Sequence, residues 1–221
     1  HNSHLPTDYH LEQNGDPRSN FDAGQRIELS TAMHSEARLV ARCARQGASI
    51  EGASVFVTVF PCPNCARLLC EAGVKKVVYA ESSAVYEGSM KYPTPEEEES
   101  PQSFYSISKF AEKVFAEGYA RFHKMNFTAL RYFCVYGPRQ DYRRTIPPVM
   151  SAFILKLLKG ERPWIYGSGK KRRDFIYVDD VNDFHLLCLK DPRTDGGTFN
   201  LGSGENYSVE EIFHAVEAIL K

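Results

Sequence analysis

The sequence predicts an α/β fold with three layers and a largely parallel sheet. From residue 34 onward, segments with the 3.6-residue period of a helix alternate with short apolar runs rich in β-branched and aromatic residues. Strands separated by helices indicate crossover connections, which place neighbouring strands parallel. The length of 221 residues allows one ordinary domain or two small ones.

The first part of the chain reads as helix, strand, helix and strand. Residues 34–47 carry apolar side chains at helical spacing and end at a glycine, whereas 53–60 form an apolar run typical of a buried strand. Residues 65–73 predict a helix that ends at a second glycine, and 75–80 predict the next strand. Residues 1–30 are polar without sustained periodicity, so no role is assigned to them.

The remaining residues continue the alternation after a loop. The acidic run Glu96–Glu99 is expected to be a solvated part of that loop, and a long amphipathic helix follows over about 103–125. The later elements are strands at 127–133, 163–166, 174–178 and 198–202, helices at 149–160 and 180–190, and a final helix from about 208.

Composition narrows the classes of function. The chain has 27 Lys and Arg against 28 Asp and Glu, a net charge of −1, so no global field attracts nucleic acid or an anionic membrane. No apolar run reaches the roughly 20 residues of a membrane span, and the first 30 residues lack a signal-peptide core. Scattered cysteines favour a reducing compartment. We therefore expect a cytoplasmic protein whose partner is a small-molecule nucleotide or sugar nucleotide, with homo-oligomerisation left open.

One group of residues has the spacing of a metal site. His34 and Glu36 lie at a predicted helix start, and Cys62 and Cys65 lie at the start of the next helix. An imidazole and two thiolates supply the three protein ligands of a catalytic zinc, and a helix start favours ionised thiols. A closed zinc site, a core with incidental cysteines and a thioredoxin-like redox pair are the alternatives.

This arrangement resembles the H-x-E and P-C-x-x-C signature of zinc-dependent cytidine and deoxycytidylate deaminases over about residues 30–80. The resemblance implies that His34, Cys62 and Cys65 hold zinc. It also implies that Glu36 is the catalytic proton shuttle of a hydrolytic deamination. Residues 1–80 are then a partial deaminase-like domain.

Residues 82–221 carry a different set of motifs. They include Ser82-Ser83, a Tyr105-x-x-x-Lys109 pair, and the segments LRYFCVYGP, GERPWIYGSGKKRRDFIYVDDV and TFNLGSGENYSVEEI. In this order they resemble the C-terminal part of NAD-dependent nucleotide-sugar epimerases and dehydratases, extended short-chain dehydrogenases of the UDP-glucose 4-epimerase type. Residues 81–221 are then the substrate-binding portion of such an enzyme.

The chemistry of these residues agrees with the resemblance. Tyr105 and Lys109 are one helical turn apart, so the ammonium favours the phenolate, which can take a proton from a sugar hydroxyl. An exposed helix pair without function is the alternative. By resemblance both residues also contact NAD, Ser82 or else Ser83 binds the reacting sugar oxygen, and Arg173 binds the sugar diphosphate.

The sequence departs from this family at two places. Cys134 stands where an asparagine usually contacts the diphosphate, and no glycine-rich dinucleotide-binding motif occurs anywhere in the chain. We therefore expect a hybrid of a deaminase-like half and the C-terminal half of a Rossmann-type epimerase, with zinc and NAD as cofactors. The predicted enzyme is a deaminase combined with a doubtful epimerase. An NAD-dependent epimerase alone and a non-catalytic sugar-nucleotide-binding module are the alternatives.

Overall fold

The computed structural model describes residues 34–220. The helices are α1 (Ser35–Gln46), α2 (Pro63–Glu71), α3 (Phe104–His123), α4 (Val149–Leu158), α5 (Val178–Lys190) and α6 (Val209–Leu220). The strands are β1 (Ser54–Val57), β2 (Lys76–Ser82), β3 (Asn126–Tyr132), β4 (Cys134–Tyr136), β5 (Arg172–Tyr177), β6 (Gly197–Leu201) and β7 (Asn206–Ser208). Short 3₁₀ helices cover Ser83–Tyr86 and Pro192–Thr194.

The ends of the first two helices follow from local chemistry. Gly47 adopts a left-handed conformation with φ of 65° and closes α1, because its N–H and that of Ala48 bond to the last turn. Pro63 occupies the first turn of α2, where its missing N–H costs no hydrogen bond. Both helices therefore lie where the sequence predicts them.

Two sheets are formed in the described residues, one with four strands and one with three. The first has the order β1-β2-β3-β6, and the second has the order β4-β5-β7. The pairs β1–β2 and β4–β5 are parallel, and β5–β7 is antiparallel. The α/β class with parallel pairing is thus confirmed.

The segment predicted to be deaminase-like shares a sheet with later strands. The strands assigned to it, β1 and β2, belong to the same four-stranded sheet as β3 and β6. Strand β2 pairs with β1 on one side and with β3 on the other. The first two strands therefore continue the sheet that the later strands form. The structure therefore supports the α/β class with a parallel sheet and gives no support to a deaminase-like half.

Two predicted strands differ from the structure, and two observed strands were not predicted. Residues 163–166 form no strand, because Pro163 lacks a donor N–H, and Trp164 and Tyr166 are 80% and 93% exposed. The run at 53–60 yields only the four residues of β1, and Val59 is exposed. Strands β4 and β7 were not predicted, since three residues are too few to establish a period.

The described residues cluster into two compact units. Unit 1 contains residues 34–80, 110–129 and 195–197, and unit 2 contains 81–109, 130–194 and 198–220. The core of unit 1 includes Leu69, Val77, Tyr79 and Phe127, all buried. A core cluster of unit 2 consists of Phe153, Phe175 and Ile212 with their half-buried apolar neighbours.

Within residues 34–220, no helix combines the length and the apolar character that a membrane crossing requires. All six cysteines of this range are free thiols.

Candidate functional site

The first turns of α3 carry the predicted proton-transfer pair. Tyr105 is 56% exposed, whereas Lys109, one turn later, is 8% exposed. Lysine is seldom buried in a folded protein without a specific environment for its ammonium group. The pair therefore differs from two solvated side chains on a helix surface, because the phenol is accessible while the ammonium is withdrawn from water.

A cluster of polar side chains holds the start of α3. The carboxylate of Glu87 accepts hydrogen bonds from the Ser103 N–H at 2.9 Å, the Ser103 hydroxyl at 2.9 Å and the Ser106 hydroxyl at 2.8 Å. The pKa of Glu87 lies below its usual range, chiefly because of the bond from the Ser103 backbone. A carboxylate at a helix start also suits the positive end of the helix dipole. Tyr105 thus lies between Ser103 and Ser106, the two residues that Glu87 binds.

Ser82 ends β2, and Ser83 begins the short 3₁₀ helix after it. Both side chains are half-buried. The Ser82 Oγ accepts a hydrogen bond from the Ala84 N–H at 3.2 Å, and its own proton can still be donated to a ligand. In parallel α/β sheets, ligands bind outside the carboxyl ends of the strands, which is the position of Ser82.

A buried ion cluster, here called the Arg131 cluster, lies next to Ser82 in the chain. Arg131 on β3 donates to Glu81 at 2.6 Å, to the Tyr86 hydroxyl at 2.7 Å and to Glu99. Burial alone lowers the pKa of this guanidinium, but the hydrogen bonds and charge of Glu81 raise it above the usual value. The guanidinium therefore remains charged and orders the strand end before Ser82.

The acidic run is also engaged by the Arg131 cluster. Besides the Glu99 carboxylate, the backbone carbonyl of Glu96 accepts a hydrogen bond from Arg131 at 2.6 Å. The Glu96 carboxylate accepts the N–H of Asn200 at 3.0 Å, and the Asn200 side chain in turn accepts the Tyr86 hydroxyl proton at 2.6 Å. The expectation of a solvated acidic loop was therefore wrong, although Glu97 is exposed.

Arg172 and Arg173 on β5 have different surroundings. Arg172 bonds to Asn206 and pairs with Glu211 at 3.1 Å. Arg173 is exposed and donates to the carbonyl of its neighbour Arg172 at 2.8 Å. Burial raises the pKa of the Cys134 thiol, and the charge of Arg173 partly opposes that rise, so the two side chains are electrostatic neighbours. Both arginines are exposed, but Arg172 is paired with a carboxylate, whereas Arg173 donates to a backbone carbonyl.

The Gly202-Ser-Gly204 turn has a structural partner. The Asp174 carboxylate accepts the Ser203 N–H at 2.7 Å, the Ser203 hydroxyl at 2.9 Å and the Gly204 N–H at 3.0 Å. A side chain at Gly202 would collide with the Asp174 carboxylate, so glycine is required there. The turn therefore supports the strand that bears Arg173.

The predicted metal ligands lie together in unit 1. The Nδ1 atom of His34 is 3.4 Å from the Cys62 Sγ and 3.5 Å from the Cys65 Sγ. All three ligand atoms lie within 4.8 Å of one another. Burial, followed by the effect of Cys62, raises the pKa of Cys65 to about 12, which is opposite to the shift expected from its helix-start position. Glu36 adds a negative charge near Cys65, but it is not part of the ligand group.

The fit of NAD to the described residues is partial. Tyr105 and Lys109 suit the catalytic end of a dinucleotide site. A pyrophosphate cradle needs glycines where a strand turns into a helix, so that backbone N–H groups approach the phosphates. The turn from β1 into α2 instead contains Thr58, Val59, Phe60, Pro61 and Cys62. This turn does not fit a pyrophosphate.

Comparison with known proteins decides the family. The model of the NAD dependent epimerase/dehydratase family matches residues 28–202, which is most of the chain. The chain belongs to this family. The match includes the segment 28–80, which had been assigned to a deaminase.

Relatives within the family act on sugar nucleotides according to their names. A putative UDP-glucose 4-epimerase of Methanocaldococcus jannaschii is 29% identical over 192 residues, covering 86% of this chain and 61% of the relative. A UDP-glucuronate 4-epimerase of Thermodesulfobacterium geofontis is 30% identical over 212 residues, covering 91% and 62%. This chain thus spans about three fifths of the length of these relatives.

A solved structure of the family has the same fold. The UDP-glucose 4-epimerase of Thermotoga maritima, determined with UDP-glucose, superposes with a TM-score of 0.75 at 26% identity. The superposition covers 91% of this chain and 72% of that one.

These comparisons correct the predicted function. The expectation of a zinc-dependent deaminase combined with half an epimerase was wrong, because the relatives are UDP-sugar 4-epimerases and the range of the family match, residues 28–202, includes the deaminase-like segment. The hydrolytic reaction in which Glu36 would move protons is withdrawn with it. A short motif of five matched positions within about 30 residues was outweighed by similarity over 91% of the chain.

Sequence reasoning missed the residues that support the site rather than those that would touch a ligand. These are Glu87 with Ser103 and Ser106, the Arg131 cluster, and Asp174 in its glycine turn. Only the Arg131 cluster left a signal in the sequence. Glu81 and Arg131 are charges within or at the end of apolar strands, where a charge needs a partner of opposite sign.

Proposed function

We propose that this chain is the substrate-binding and proton-transfer portion of an NAD-dependent UDP-sugar 4-epimerase, an isomerase, with residues 81–221 as that portion. The observation that supports the proposal most directly is the buried Lys109 one turn from the accessible Tyr105 on α3. This pair is useful to a reaction that moves a proton at a sugar hydroxyl. The 4-epimerase names of the relatives supply the substrate class.

In this proposal each residue acts on a stated atom. The phenolate of Tyr105 takes the proton of the sugar 4-hydroxyl and returns it, and the Lys109 ammonium favours the phenolate. The Ser82 hydroxyl donates a hydrogen bond to the same sugar oxygen, with Ser83 as the second candidate. Arg173 binds the diphosphate through its planar guanidinium. NAD, when bound, supplies the hydride acceptor.

The test is conversion of UDP-glucose into UDP-galactose, followed by NMR at millimolar NAD. The wild-type chain is expected to interconvert the two sugars. Tyr105→Phe is expected to lower turnover by roughly 10²- to 10⁴-fold, the usual contribution of a positioned acid–base group. Tyr166→Phe is the matched control, because Tyr166 is 93% exposed and lies outside the proposed site.

Equal turnover in wild type and Tyr105→Phe would refute the catalytic assignment.

The missing glycine-rich turn favours a second candidate function, a module that binds UDP-sugars without converting them. Calorimetric binding of UDP-glucose that weakens in Arg173→Met, together with no interconversion at saturating NAD, would establish that second candidate.

A further inference from the structure

We propose that His34, Cys62 and Cys65 bind one zinc ion, or a similarly soft divalent cation, and that this ion anchors α1 to the start of α2. The site is an addition to the epimerase fold and does not depend on the proposed sugar chemistry. Its three ligands all belong to unit 1. Within residues 34–220, these three side chains form the group whose ligand atoms are close enough to share one ion.

The distances from the imidazole nitrogen to the two sulfurs have the values that a tetrahedral zinc site requires. Zinc bonds of about 2.3 Å to sulfur and about 2.0 Å to nitrogen, meeting at a tetrahedral angle, separate the nitrogen and the sulfur by about 3.5 Å. The His34 Nδ1 lies 3.4 Å from one sulfur and 3.5 Å from the other. A small movement of the side chains is enough to admit the ion.

The surroundings of the ligands favour retention of a metal. Cys65 is buried and Cys62 is half-buried, which shields the thiolates, whereas His34 is exposed and leaves a route for the ion. On binding, each thiol releases its proton to solvent and the neutral imidazole donates its Nδ1 lone pair. The half-buried carboxylate of Glu36 adds a negative charge beside the sulfurs, which partly compensates the dication.

The attachment of α1 explains what such an ion would do. None of the residues of α1 is fully buried, and Val40 is its side chain that packs against the core of unit 1. A helix held by so little apolar contact detaches easily. His34 lies at the N-cap of α1 and Cys62 at the N-cap of α2, so one ion would join the two helix starts.

Metal content tests the site. The full chain, purified under reducing conditions, loaded with zinc and dialysed against metal-free buffer, is expected to retain about one zinc per chain by mass spectrometry. Cys62→Ser, Cys65→Ser and His34→Gln are each expected to lose most of it. Cys70→Ser is the matched control on the same helix, because the Cys70 thiol contacts the Met125 sulfur instead. Circular dichroism checks that every variant is folded.

Cobalt replacement and hydrogen exchange complete the test. Cobalt-loaded protein is expected to show sulfur-to-cobalt charge-transfer absorption that is largely lost in Cys62→Ser, because this variant no longer retains the ion. Removing zinc with a chelator is expected to speed amide exchange in residues 35–46 and to leave residues 209–220 unchanged. Less than about a tenth of an ion per wild-type chain, or retention of zinc by His34→Gln and Cys65→Ser equal to that of wild type, would overturn the site. Unchanged exchange in α1 would overturn its anchoring role.

Discussion

Tyr105 and Lys109 show how one helical turn can present two environments. Positions i and i+4 differ in direction by only about 40°, yet one side chain is exposed and the other is buried. The boundary between water and protein interior therefore passes between them. A phenol at this boundary can meet a ligand, while the lysine one turn later lies in a medium of lower dielectric, where charge interactions are stronger.

Lys109→Met keeps most of the side-chain length but removes the charge. We expect turnover of UDP-glucose to fall by about 10²-fold or more, since an aligned charge at the reacting group is lost. Lys113→Met is the control, because Lys113 lies one turn further along α3 and pairs with Glu117 at 3.9 Å. Similar losses in both variants, measured by the NMR assay, would indicate that only helix stability has changed.

At the scale of elements, helices were predicted more accurately than short strands. The predicted helix at 103–125 corresponds to Phe104–His123, because twenty residues establish a period that a local segment carries by itself. Strand β7 exists only because Arg172–Asp174 of β5 lie opposite it. Such pairing joins distant parts of the chain and cannot be seen in three consecutive residues.

The start of α3 offers a pH-dependent prediction. The pKa of Glu87 is lowered, so its stabilising effect is present above the ordinary glutamate pKa and is lost as the pH falls through the lowered value. Glu87→Gln is therefore expected to lower the melting temperature at pH 7. The difference from wild type should shrink below about pH 4. Glu97→Gln, a change in an exposed carboxylate, serves as the control in the thermal melts. A difference that stays constant with pH would contradict the assignment.

At the scale of the whole molecule, similarity and local motifs gave different answers. The sugar-nucleotide family was predicted from the ordered motifs after residue 82, and the family match confirms it. The activity inferred from the cysteine motif was wrong, although the structure brings its three side chains together. A ligand geometry requires only a few residues, whereas an enzyme activity requires the pocket around them.

The missing cradle makes a prediction about the cofactor. NAD titrated into this chain in a calorimeter is expected to bind more weakly than micromolar, because within residues 34–220 no glycine-rich turn between a strand and a helix presents backbone N–H groups to a pyrophosphate. UDP-glucose titrated into the same preparation provides the control for a folded substrate site. Micromolar affinity for NAD would show that another part of the chain forms the cradle.

The Arg131 cluster also bears on how the chain reaches its native state. Tyr86 bonds to Asn200, 114 residues later, and Arg131 bonds to Glu81, 50 residues earlier. Contacts between such distant residues slow folding, because the intervening loops lose entropy before any bond forms. During synthesis the guanidinium leaves the ribosome after Glu81 and Tyr86, but the amide that completes the cluster follows nearly 70 residues later. Glu81, Tyr86 and Glu99, which bind the guanidinium, are made before it, so the charge can be paired at once, whereas the Tyr86 hydroxyl waits for its amide acceptor.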